Sequence, residues 1–257
     1  MRSAVEIEFG NQRLKATPYR NKAHLTDLDP ELCERVGDSV FKQCDPMWAA
    51  AAENSPGTVI YGDVNLDEDG LSPVYETLDA PGRFLIFTGS VTAGGLGLEA
   101  TDRVVILGDL HTNGVSNRRG ELWVEGTTHI RGALFFDSYD RGFTRLRLAS
   151  PVGFLAATST VFDISPLAAR YYFDPLFRCG FKNAPNTRHE EIMHHMFANT
   201  PRQVSADELA KFFRSANDYS VAELVRAGAH EEWLHTTISA KDSTAFARFF
   251  DETLRGS

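Results

Sequence analysis

LIFTGSV at residues 85–91, VVILGDL at 104–110 and LWVEGTT at 122–128 are one pattern written three times: an alternating apolar segment, a glycine, then a second short stretch. TVIYGDV at 58–64 precedes them, and LRLASPV at 146–152 follows as a looser copy. The glycines Gly62, Gly89, Gly108 and Gly126 are 27, 19 and 18 residues apart, the length of one β-helix coil with an occasional loop. The spacing predicts a mainly β solenoid, a single-stranded β-helix of about five to six coils, with α-helical regions flanking it at both ends.

Period-two alternation assigns each side chain to the inside or the outside of a coil. The inward columns are Ile60, Phe87, Ile106, Val124 and Val64, Val91, Leu110, Thr128. The outward columns Asp63, Ser90, Asp109, Thr127 and Asn65, Thr92, His111, His129 are polar, as a solvated wall should be. A third outward column is apolar: Val59, Ile86, Val105 and Trp123, with Tyr61 and Leu107 beside it. So much contiguous apolar surface needs a cover, and helices of the same chain are the expected one.

Residues 1–56 read as a mixed cap. Val5, Ile7 and Phe9 alternate as a strand, and Asp29-Pro30 is a helix start whose apolar face is Leu32, Val36 and Val40. A second short helix is expected around 47–53. The repeat occupies 57–163, and residues 164–257 read as a helical region with segments at 188–199, after the capping box Ser205-x-x-Glu208, at 221–225, near Trp233, and after Asp242 or Ser243.

The 257 residues carry a net charge of −9, and the repeat holds most of it: residues 57–163 have 14 acids, 8 arginines and no lysine. Phosphate binding needs a cationic footprint, so nucleic acid is disfavoured and a basic protein partner is suited. No apolar run reaches about 18 residues and no leader pattern opens the chain, which predicts a cytoplasmic protein without membrane contact. Cys33, Cys44 and Cys179 are odd in number and lack metal-type spacing, so reduced thiols are expected.

Motifs that carry chemistry are few. Glycines recur every six residues from Gly108 to Gly132, but the residues before them (Leu107, Asn113, Arg119, Glu125, Arg131) lack the aliphatic position of hexapeptide acyltransferases. His111 and His129 share an offset in consecutive coils, with Asp109 nearby. They are weak metal candidates, because the same offset supplies only Thr92 and Asn65 as further neighbours. The acidic run from Asp63 to Asp69 imitates a calcium loop, but Glu68 stands where glycine is needed and Val74 where a bidentate glutamate is needed. On a helix His189 and His194 lie about 140° apart, too far around to share an ion. No phosphate loop, nucleophile elbow or paired Cys-x-x-Cys is present, so the expectation is a non-enzymatic protein without a cofactor. A β-helix enzyme, acyltransferase or carbohydrate-active, is an alternative, since its catalytic groups can come from separate coils.

The segments FLIFTGSVTAGGLGL (84–98), VVILGDLHTNGV (104–115) and LWVEGTTHIRGALFFDSYDRG (122–142) resemble the bactofilin-like, polymer-forming cytoskeletal β-helix group. More narrowly they are similar to bacterial members encoded beside polymorphic toxins, in which a coil ends in an aromatic and acidic turn. SVAELVRAG at 220–228 is similar to the short helix that follows the solenoid in that group. The resemblance implies either a filament-forming scaffold or, because long flanks at both ends would block stacking, a discrete immunity protein. Such a protein would bind a basic bacterial toxin domain, and a homodimer is compatible with it. The expected contact residues are Trp123 if helices leave it uncovered, Arg118 and Arg119 at a coil corner, and the loop of Phe136, Asp137, Tyr139, Asp140 and Arg141.

Overall fold

The structure, a computed structural model, describes residues 5–9, 11–37, 53–66, 71, 74–75, 84–98, 101–118, 120–137, 143–157, 162–164, 169–173 and 202–203. Its strands are β1 (Val5–Phe9), β2 (Gln12–Tyr19), β3 (Gly57–Tyr61), β4 (Val64–Leu66), β5 (Phe84–Phe87), β6 (Val91–Ala93), β7 (Leu96–Leu98), β8 (Arg103–Ile106), β9 (Leu110–Arg118), β10 (Glu121–Val124), β11 (Thr128–Asp137), β12 (Phe143–Leu146), β13 (Val152–Ala157), β14 (Phe162–Ile164), β15 (Ala169–Phe173) and β16 (Arg202–Gln203). The helices described over their full extent are α1 (Lys22–Leu28) and α2 (Pro30–Val36).

From β3 to β15 the chain alternates between two sheets, with β6 and β7 both in the second. The first runs β1-β2-β3-β5-β8-β10-β12-β14 and the second β16-β15-β13-β11-β9-β6-β4, with β7 also on β9. From β3 and β4 onward every pairing is parallel, so the chain winds as a β-solenoid. Ile60, Phe87, Ile106 and Val124 are direct register partners, one above another. So are Val64, Val91, Leu110 and Thr128. Both ladders are buried between the sheets, and each large apolar member contributes about 1.5–3 kcal/mol by leaving water. The second sheet continues past residue 163 through β15 and β16.

Glycine is required at the bend between the sheets for two separate reasons. Gly62 has φ +91°, which a side chain would strain. Gly89, Gly108 and Gly126 stack so tightly that a Cβ on any of them would collide with the backbone of the glycine below.

Over β3, β5, β8 and β10 the first sheet is buried on both faces. Its outward column Val59, Ile86, Val105 and Trp123 packs with Leu25 of α1 and with Leu32, Cys33 and Val36 of α2. The apolar strip is therefore covered by this chain's own N-terminal helices. Those helices are set by their caps: Asn21 accepts from the His24 N–H at 2.9 Å, and Asp29 accepts from the Leu32 N–H at 3.0 Å with Pro30 in the first turn. Arg35 then ties α2 to the solenoid, donating to the Leu107 carbonyl and to Glu125, each at 3.0 Å. Val40, most of the helix expected at 47–53, and every helix expected between 188 and 257 lie outside the described residues.

One end of the ladder is closed by a hairpin. β1 pairs antiparallel with β2, and β2 pairs antiparallel with β3, Ala16 facing Ile60. The Gln12 side chain, at the start of β2, accepts the Asn65 N–H of β4 at 3.0 Å, so the hairpin also reaches the first strand of the second sheet.

Candidate functional site

The outer wall of the second sheet begins from a ladder of side-chain hydrogen bonds. Asp63 accepts the Ser90 N–H at 2.7 Å, the Ser90 hydroxyl accepts the Asp109 N–H at 3.2 Å, and Asp109 accepts the Thr127 N–H at 2.7 Å. Each polar residue after a bend glycine thus satisfies the backbone of the next coil. Asp63 is engaged in this bracing, and the rest of the calcium-like run, 67–69, lies outside the described residues.

Two residues further along, the column Asn65, Thr92, His111 and His129 is exposed and in register. The rings of His111 and His129 are stacked, with centroids 4.5 Å apart and planes 5° from parallel. Asp109 stands in the bend just before β9, two residues ahead of His111. Donor atoms of Asp109, His111 and His129 all fall within 4.8 Å of one another. A groove of about 640 Å³ opens beside them, lined also by Thr92, Asn113, Ile130, Pro151 and Arg170. Two imidazoles and a carboxylate are the donor types of first-row transition ions, not of magnesium or calcium.

The sequence already places Asp109 near the two histidines, and the structure adds that its carboxylate reaches the same cluster of donor atoms.

The expected contact residues divide. Trp123 is 4% exposed beneath α1 and α2, so it is a core side chain and not a surface anchor. The guanidinium of Arg145, its register partner on β12, lies 4.4 Å from the centre of its ring. Arg118 ends β9 in register with Asp137 of β11, and Phe136 pairs with Asn117. The strands therefore bring Arg118, Phe136 and Asp137 to one edge of neighbouring coils. Arg119, Tyr139, Asp140 and Arg141 lie outside the described residues, as do His189 and His194.

Among the described residues no helix is long and apolar enough to cross a membrane. Cys33 is a buried free thiol. Comparison with protein-family models, with curated proteins and with solved structures finds no match to this chain.

Proposed function

We propose that the protein is a non-enzymatic binder of one protein partner, a bactofilin-like solenoid of five to six coils with a helical C-terminal region acting as a cytoplasmic immunity protein. Its partner in this reading is a basic bacterial toxin domain, drawn to the acidity of the repeat, which steers association and matches potentials across an interface. The observation that carries the reading is the antiparallel hairpin β1-β2 laid on β3. A filament of stacked solenoids needs an unpaired parallel strand at each end to add the next copy, and the hairpin occupies one of them. The docking edge in this proposal is that of Arg118, Phe136 and Asp137, with Tyr139, Asp140 and Arg141, which follow in the sequence, as further contact residues.

Two measurements test it. Light scattering at high concentration should give a monomer or a dimer, and filaments by electron microscopy would favour the scaffold alternative instead. Co-expression with the product of a neighbouring reading frame should yield a stable complex and relieve its toxicity. A neighbouring product that is toxic yet neither bound nor neutralised would overturn the immunity reading.

A further inference from the structure

We propose that Asp109, His111 and His129 form a binding site for one divalent zinc-class ion on the outer wall of the solenoid. This inference is independent of the partner reading. The scaffold of the site is fixed: His111 and His129 are direct register partners on β9 and β11, and Asp109 is anchored from above by the Thr127 N–H. That bond engages Oδ1 of Asp109, and no described hydrogen bond engages Oδ2. Neither imidazole makes a hydrogen bond among the described residues, so the ring nitrogens are open to an ion.

Geometry decides what must move. Donors around a tetrahedral zinc lie roughly 3.3 Å apart, given zinc–nitrogen bonds near 2.0–2.1 Å. The three donor atoms here, within 4.8 Å of one another, must draw closer. Parallel rings point their lone pairs side by side, so binding requires the two rings to turn out of the stack. Both rings are exposed, and rotation about their side-chain bonds does this without disturbing the ladder. Three protein donors leave the fourth position to water or to a ligand in the groove that Arg170 lines. The rings have no carboxylate or carbonyl holding their second nitrogen, so the site binds its ion more weakly than a zinc site with oriented ligands.

The test is a calorimetric titration of zinc chloride into the full chain, purified without a histidine tag and stripped with chelator. One equivalent should bind. Asp109→Asn keeps the acceptor for the Thr127 N–H but removes the charge, and should weaken binding at least about tenfold, the lower range for disturbing a metal's shell. His111→Asn with His129→Asn should abolish it. No zinc uptake by the parent chain, or unchanged affinity in either variant, overturns the proposal. Circular dichroism of each variant checks that the fold is retained, and Asp109→Asn suffices should the double variant fail to fold.

Discussion

Gly108 sits so close above Gly89 that an added Cβ would meet the Gly89 carbonyl carbon at 2.5 Å, while its own N–H donates to the Gly89 oxygen at 3.2 Å. Backbone is on both sides of this contact, so no flexible side chain can move aside to admit a methyl group. Gly108→Ala should therefore cost about 3 kcal/mol, the upper range for overpacking. Gly97, in β7, has nothing within 4 Å of the same added atom and no positive φ. Gly97→Ala should be neutral or stabilise by less than about 1 kcal/mol, through a less flexible unfolded chain. Urea denaturation of the two variants checks the contrast, and equal losses would refute the stacked-glycine account.

Trp123 and Arg145 close the covered side of the wall. The column Val59, Ile86, Val105, Trp123 continues into Arg145 on the next strand, whose guanidinium caps the indole face. Arg145→Ala should cost about 1 kcal/mol from lost cation–π contact and packing. Trp123→Ala should cost about 3–5 kcal/mol, because it opens a cavity beneath both helices. Thermal unfolding measures both, and an unaltered midpoint for Trp123→Ala would contradict its burial.

How far the sequence predicts this arrangement follows from where each signal lies. The ladders of Ile60 and Val64 were legible because alternation fixes the facing of every residue in a strand and the glycine fixes the register between copies. α2 was legible from Asp29-Pro30. β2 and α1 were not: QRLKATPY carries polar residues and a proline through the strand, and the seven residues of α1 bury only Leu25, too few for a helical period. The apolar column signalled a cover without saying which part of the chain supplied it, since the answer depends on how 21–37 folds back over the sheet. The members of the metal-type cluster were legible, the two histidines by their shared offset with Asp109 nearby, but the approach of all three donors to within 4.8 Å depends on the bend before β9 and on the side chains.

Thr128 occupies a position that the pattern reserves for an aliphatic side chain. It continues the ladder of Val64, Val91 and Leu110, is 0% exposed, and its hydroxyl has no hydrogen-bond partner among the described residues. A buried, unpaired hydroxyl costs about 1–3 kcal/mol in lost solvation. Valine has the same branched shape without it, so Thr128→Val should stabilise the fold by about 1 kcal/mol. A denaturation midpoint that falls on this substitution would show that the hydroxyl is satisfied.

Glu121 gives the fold a pH dependence whose sign can be worked out. Its carboxylate lies 3.2 Å from Arg103, which also donates to Ser55 at 2.9 Å. Burial raises the Glu121 pKa, and the attraction and hydrogen bond of Arg103 only partly offset it. A carboxyl group with a raised folded pKa holds its proton more readily in the native chain than in the unfolded one. Its contribution is therefore full below the unfolded value, about 4.3, and is lost as the pH rises through the folded pKa. Glu121→Gln still accepts from Arg103 but cannot titrate. As the pH falls through that window, the stability of the parent chain should rise relative to Glu121→Gln, and Glu121→Ala, which removes the carboxylate bound by the Arg103 Nε, should be the least stable of the three at neutral pH. Urea midpoints across the acid range read this directly, and a relative change of opposite sign would mean that Arg103 outweighs burial at this pair.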